Sequence, residues 1–405
     1  MIPSEIVIQV LQISEASYQD LLNYSLVSRS WCWPTQQILH AKIYITSERH
    51  VNRYIQKYVT FPHLRPAARS MHIFGMEMVS YSEGSLDFER TVMADGFEVL
   101  AGMVGNGIRD LYLDSFNEWD EETSRRVSDH FHSIERLEIW GVSMCGVSEC
   151  LSRLVGRMAK LERLYLHHVT SNIWQVFDSQ PNYSTTRTKA QDNEAAAAVR
   201  PGRHLHTLGV STIQGSPDVL SFLIGHTLDT SHVEKLKLCW GFTHRAPLDT
   251  IHSFLTNLGP QITCLTMATP VQNVDEYRGM DVEMCLGDII STKALSYFPS
   301  MRKLTLCAYS GTSINDSVSD DLCHKEKVAL CHAFTLLDSW EEAPQLEELT
   351  IKLIPEGSRR PAQLPLWFRL RNLLASDKFA KLRKSCIRFE GEDEESVRQM
   401  FPEIA

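Results

Sequence analysis

The apolar positions of this chain follow two periods, and the change between them falls near Ala41. Before it the spacing is helical. Ile6, Val10 and Ile13 recur at intervals of four and three on one face. Pro3 opens that helix at a position where its missing N–H would be unpaired anyway, and Glu5 suits the positive end of the helix dipole. A second helical block runs from Asp20 to Val27, and a third follows Ser28-Arg29-Ser30-Trp31 as far as Ala41. Beyond Ala41 the run Ile43-Tyr44-Ile45 alternates like a strand, and Ser47 to Tyr58 reads as a helix. Then one signature, apolar-x-x-apolar-x-apolar, returns at Ile108/Leu111/Leu113, Ile134/Leu137/Ile139, Leu161/Leu164/Leu166, Leu205/Leu208/Val210, Val233/Leu236/Leu238, Ile262/Leu265/Met267, Met301/Leu304/Leu306 and Leu346/Leu349/Ile351. Arg69 to Ile73 reads as a degenerate earlier copy, and Ile387-Arg388-Phe389 as a last one in a shifted register.

Between the middle residues of successive copies, the short intervals are about 26 to 29 residues, the length of a repeat unit, and the longer ones carry inserts. Helices are predicted between the strands at Val147 to Ala159, at Ser216 to Thr227 with Ser216 as N-cap and Pro217 in the first turn, and at Leu248 to Leu258. A strand and a helix in each unit imply a parallel sheet backed by helices, with a core completed by stacking neighbours. The pattern resembles a leucine-rich repeat, but with one departure. Where that family places an Asn or Cys to tie neighbouring loops, this chain has Phe116, Val142, Val169, Ile213, Gly241, Pro270, Tyr309 and Ile354. The loops must then be held by apolar packing, and an irregular, weakly curved solenoid is expected. Asn182 to Arg203, polar and interrupted by Ala195 to Ala198 and Pro201-Gly202, reads as a flexible insertion, and Asp393 to Met400 as a terminal helix with an acidic start.

The first forty residues are too few to close a core of their own without a partner or a staple. Their residues, Ile2-Pro3-x-Glu5-Ile6, Asp20-Leu21-Leu22 and Leu26-Val27-Ser28-Arg29-x-Trp31, resemble an F-box, with Ile2 in place of the usual Leu. The resemblance implies docking on an SKP-type adaptor, and through it on a cullin scaffold. It carries over Pro3, Ile6, Val10, Leu11, Leu22, Val27 and Trp31 as the adaptor-binding set. The expected architecture is therefore α/β: a short three-helix F-box over 1–42, then an irregular leucine-rich-repeat-like solenoid with a parallel sheet over 43–405, interrupted at 182–203. The implied function is substrate recognition for a ubiquitin ligase without chemistry of its own. The alternative is a repeat scaffold with no ubiquitin role, whose N-terminal helices merely cap the solenoid.

Composition narrows the partners. With 40 Lys and Arg against 50 Asp and Glu, the net charge of −10 argues against nucleic acid as the main partner. No stretch approaches a membrane span, and the N-terminal run has no basic leader region. The 10 cysteines lack framework spacing, which points to reduced thiols in the cytoplasm or nucleus, so the sequons at Asn23, Asn182 and Asn315 are read as chance matches. Catalytic and cofactor motifs are near misses. Gly141-Val142-Ser143-Met144-Cys145 lacks the closing glycine of a nucleophile elbow, and the glycines at 102, 105 and 107 precede a strand where a dinucleotide loop follows one. Cys323-His324 with Cys331-His332 is the best metal candidate but lacks chelating pairs at the spacing of structural zinc, and Cys145 with Cys150 is weaker. No enzyme activity, cofactor or metal is expected.

Strand residues between the apolar positions should point to the open face of the sheet. In three well-spaced repeats these are Asp110, Tyr112 and Asp114; Arg136, Glu138 and Trp140; and Arg163, Tyr165 and His167; later come Lys235, Lys237 and Cys239. Aromatic residues with arginine are the composition of a protein-binding hot spot, which makes Tyr112, Arg136, Trp140, Arg163, Tyr165 and His167 the candidate substrate-binding set. The same residues also suit a solvated face, since tyrosine favours strands for its own reasons.

Overall fold

The computed structural model describes residues 3–14, 17–75, 95–116, 119–171, 204–212, 217–225, 228–240, 248–269, 294–309, 336–340, 345–354 and 372–389. The predicted insertion at 182–203, the terminal helix at 393–400 and the Cys-His pairs at 323–332 lie outside them. The chain divides into two compact units, Met1–Leu205 with Gly225–Asp229, and His206–Ile224 with Thr230–Ala405. Among the described residues no helix is long and apolar enough to cross a membrane.

Three helices open the first unit: α1 (Ser4–Ile13), α2 (Tyr18–Val27) and α3 (Arg29–Leu39). A capping box starts α2, with the Asp20 N–H donating to Ser17 Oγ at 3.2 Å and the Ser17 N–H donating back to Asp20 Oδ2 at 3.1 Å. Ser28, extended at φ −162° and ψ 165°, separates α2 from α3. Both α1 and α2 pack on α3. Their shared core is small: Val7, Leu11 and Leu21 are buried, and Tyr24, Trp31, Ile38 and Leu39 pack on them half-buried. Pro34 and Thr35 of α3 are buried as well, and α3 rests against the 3-10 turn Pro62–Ala67 of the following segment.

The repeats of this unit place β1 (Lys42–Ile45), β2 (Ser70–Phe74), β3 (Asp110–Asp114), β4 (Arg136–Trp140) and β6 (Arg163–His167) side by side in that order, all parallel. Helices α4 (Glu48–Thr60), α5 (Asp95–Val104), α6 (Glu121–His130) and α7 (Val147–Val155) connect them. Ile43, Met71, Leu111, Leu137 and Leu164 are register partners across the strands and are fully buried. The degenerate copy at 69–73 is thus a full member of the sheet. Helix α5 buries Phe97, Leu100, Ala101 and Val104 at helical spacing, whereas α6 carries no apolar period. The inward face of α6 is Ser124, Val127 and Ser128, a single apolar residue between two hydroxyls. Ser124 is inside because its Oγ accepts the indole N–H of the fully buried Trp119 at 2.6 Å.

The loops that leave the strands lack an asparagine ladder, as expected, and Phe116, Val142 and Val169 are buried where it would stand. A short second sheet adds to this packing: β5 (Ser143–Met144) pairs in parallel with β7 (Thr170–Ser171), and Trp119 bridges to Met144. The chain reaches it through a left-handed residue after each strand, Ser115 at φ 58°, Gly141 at φ 57° and His168 at φ 52°. Only one of the three is glycine, so the repeated turn is invisible in sequence.

The second unit continues the same construction with β8 (Thr207–Thr212), β9 (Lys235–Trp240), β10 (Cys264–Thr269), β11 (Lys303–Tyr309), β12 (Glu348–Ile354) and β13 (Lys384–Phe389), parallel and in chain order. Helices α8 (Pro217–Ile224) and α9 (Leu248–Leu258) bury Val219, Leu220, Phe222 and Leu223, and Phe254, Leu255 and Leu258. The last strand corrects the sequence reading. Leu349 pairs with Ser385 and Ile351 with Ile387, so β13 is in the common register, and a serine at the middle apolar position disguised it. One close approach is shared by both units. A Cβ on Gly105 would lie 2.4 Å from the His130 carbonyl oxygen, and one on Gly259 would lie 2.2 Å from that of Tyr297. In each case the glycine begins a 3-10 turn ahead of a strand, and the next repeat's backbone occupies the space of a side chain.

Candidate interaction surfaces

Two surfaces collect the residues singled out in the sequence. The first is the outer side of α1 and α2. Ile6 and Val10 are 47% and 48% exposed, Val27 is 67% exposed, and Pro3 is also exposed. Their neighbours Ile13, Tyr18 and Leu26, which are not in the adaptor-binding set, are exposed too. Leu22 is half-buried. Leu11 is in the core with Val7 and Leu21, where it supports the helices and does not face solvent. Trp31 lies between the two roles: it packs on that core, with its ring 5.7 Å from Tyr24, and stays partly open. Apolar residues are common on surfaces singly, but six large ones on two short helices leave much of this face without cover among the described residues.

The second surface is the open face of β1 to β4 and β6. Parallel register sets Tyr44, His72, Tyr112, Glu138 and Tyr165 in one row across five strands. Their rings form a continuous series. Tyr44 lies 4.8 Å from His72, and His72 stacks on Tyr112 at 3.9 Å. The Arg136 guanidinium then sits 5.1 Å from the Tyr112 ring and 5.0 Å from that of Tyr165, so one cation spans two aromatic faces. Glu138 holds both sides of the junction. Its carboxylate accepts from Arg136 Nη2 at 2.6 Å and from the Trp140 indole N–H at 2.8 Å. Trp140, 41% exposed, stacks on His167 at 4.3 Å and lies 5.7 Å from His168. Arg163 is paired with Asp110 at 3.4 Å.

All six residues of the substrate-binding set therefore share one face, but not one exposure. Tyr165 is only 8% exposed and serves as a support under Arg136, whereas Trp140 is open. Tyr44 and His72 belong to the series and were not singled out. The alternation of Ile43-Tyr44-Ile45, aligned with Met71-His72-Ile73, was the signal that could have found them. Electrostatics favour fixed, neutral rings here. Burial is the main cause that lowers the pKa of His72, with Lys42 adding to it, and burial likewise raises that of the Tyr112 hydroxyl. Burial works against the charge on Arg136, but the Glu138 hydrogen bond and attraction, joined by the two tyrosines, outweigh it and raise its pKa.

Other sequence candidates resolve into packing. Gly141 is the left-handed turn after β4, Val142 is buried and Ser143 begins β5. Cys150 is buried with its thiol directed at the carbonyls of Cys145 and Trp119, and burial pushes its pKa up to about 12, so it remains a thiol at neutral pH. Among the described residues no group of three or more His, Cys, Asp or Glu could hold a metal ion. Lys235 and Lys237 are exposed on β9, and the side chain of Cys239 lies outside what is described.

No protein-family model matches the chain, and no curated protein does. Among solved structures, the chain is similar to one in the crystal structure of the Rad7 and Elc1 complex in yeast, at 12% identity over 96% of this chain and 90% of that one, with a TM-score of 0.36. A likeness of that order carries no argument about family or function.

Proposed function

We propose that this chain is a non-catalytic substrate-recognition subunit of an SCF-type (SKP adaptor, cullin, F-box) ubiquitin ligase. In this reading α1 to α3 dock on the adaptor, which brings the cullin scaffold, and the repeats hold a protein substrate. The observation that carries it is the exposed apolar face of α1 and α2, with Ile6, Val10 and Val27 outward over the small core of Val7, Leu11 and Leu21. A module of this kind gains stability by covering that face with a partner. The contribution of the chain to ubiquitin transfer would be proximity, the effective concentration of a substrate tethered near a partner enzyme. The series from Tyr44 to Trp140 supports the substrate half, since pre-ordered aromatic and arginine side chains lose little entropy on binding. Pull-down of the full chain with an SKP-type adaptor tests the proposal.

One observation favours a second reading, a scaffold unconnected with ubiquitin. Helix α3 packs against the 3-10 turn Pro62–Ala67 of the repeat segment and buries Pro34 and Thr35, as a capping element would. Capping accounts for α3 but gives no use to the exposed side chains of α1 and α2. Adaptor capture by the full chain discriminates: a chain whose N-terminal helices only cap the repeats does not bind it.

A further inference from the structure

The open face of the second unit differs in chemistry from that of the first. Acidic residues outnumber basic ones 50 to 40 in the whole chain, yet here the balance reverses. Among the described side chains of β8 to β13 that alternate with the buried ones, Lys235, Lys237, Lys303, Lys352 and Lys384 meet one carboxylate, Glu348. Two further carboxylates, Glu234 and Glu347, stand just ahead of β9 and β12. Threonines such as Thr266 and Thr305 occupy neighbouring positions, so the ammonium groups rise above short side chains.

Register gives these charges a spacing. Lys235, Cys264, Lys303, Glu348 and Lys384 are aligned across five parallel strands. Strands lie about 4.8 Å apart, so Lys235, Lys303 and Lys384, on every second strand, repeat at about 9.6 Å. An extended polyproline-type segment advances about 9.3 Å in three residues and returns each third side chain to the same side. We infer that this face docks an extended acidic segment of a protein partner, one whose carboxylates recur every third residue and run across the strands. The segment would take Lys303 from Glu348, which now holds it at 3.0 Å. The inference rests on the repeats being a protein-binding surface and is independent of adaptor docking. A nucleic acid would offer phosphates to the same lysines, and an oligothymidine in the test below separates that partner from an acidic protein segment.

The test is fluorescence anisotropy of the full-length protein with a labelled peptide of three Glu-Ala-Pro triplets. Its controls are a peptide of the same composition with the glutamates clustered, and an oligothymidine of equal charge. The spaced peptide should bind more tightly than the clustered one, and added salt should weaken it. Lys235→Gln and Lys384→Gln should each weaken it by about two- to fivefold. Glu348→Gln should tighten it by a similar factor, a sign that damage to the fold could not produce. Equal binding of the two peptides, tighter binding of the oligothymidine, or no response to Glu348→Gln would overturn the inference. Adaptor pull-down with the unsubstituted chain keeps the claims apart: no peptide binding with adaptor captured sinks this inference alone, and the reverse sinks the adaptor claim alone.

Discussion

His72 and Tyr112 are register partners on adjacent parallel strands, and their rings lie 3.9 Å apart and within 14° of parallel. The contact follows from repeat architecture. Equivalent positions of successive repeats fall side by side at the strand spacing, about 4.8 Å, which is also a stacking distance for planar rings. A planar residue at that position in each repeat therefore builds a pre-ordered surface without further design.

This arrangement predicts an acid-side loss of stability. His72 is held below its ordinary pKa chiefly by burial. His40, which is half-buried and receives a 2.9 Å contact from Lys57 Nζ, is pushed down to about 4 by burial and by the Lys57 charge. A histidine with a folded pKa below its unfolded one contributes stability that is complete above about pH 6.5 and is lost as pH falls toward the folded value. The urea midpoint of the full chain should therefore drop between pH 7 and pH 4. His40→Gln should flatten the part of the profile that comes from its burial and from the Lys57 charge, and an unchanged slope would contradict it.

Arg136 is predicted to be the central tie of the first open face. Arg136→Ala removes a cation from two rings, exposes Tyr165 and leaves one oxygen of Glu138 unpaired, at a cost of about 1–3 kcal/mol. Arg136→Lys keeps the charge but cannot span both rings and the carboxylate, and should recover less than half of the loss. Chemical denaturation of the three proteins measures the order, and wild-type stability in Arg136→Ala would remove the tie.

Gly105→Ala and Gly259→Ala each drive a methyl group into a backbone carbonyl of the next repeat, at 2.4 Å and 2.2 Å. Overpacking against backbone should cost about 1–3 kcal/mol at either site. Gly102→Ala is the control, because a Cβ there meets nothing within 4 Å, and its melting temperature should match or exceed that of wild type.

What was legible in the sequence were the elements with strong apolar periods. Leu248–Leu258 ends where its spacing ends, and the three N-terminal helices fall in the blocks that their apolar residues mark. Elements held by other means were not legible. Helix α6 buries two serines because of Trp119, a contact between residues whose partnership depends on a turn. The left-handed residues after the strands include a serine and a histidine, so the usual glycine signal is missing. Strand β13 was read out of register because Ser385 stands where its partners have leucine. The open-face residues were foreseen by alternation alone, but not the way Arg136 and Glu138 join them, since side-chain pairing across strands needs the register first.

The adaptor claim rests on surface residues, so it can be tested without disturbing the core. Ile6→Asp with Val10→Asp changes two positions about half exposed on α1 and should leave the fold unchanged. Trp31→Ala, which also thins the core, should cost about 2–4 kcal/mol of adaptor binding if that side chain anchors the interface. The most direct measurement is quantitative pull-down of a purified SKP-type adaptor by the full chain, by the Ile6→Asp/Val10→Asp chain and by residues 46–405. The account predicts capture by the full chain, loss of at least tenfold with the double substitution, and none by the truncated chain. Failure of the full chain to capture adaptor, or undiminished capture without residues 1–45, would contradict it.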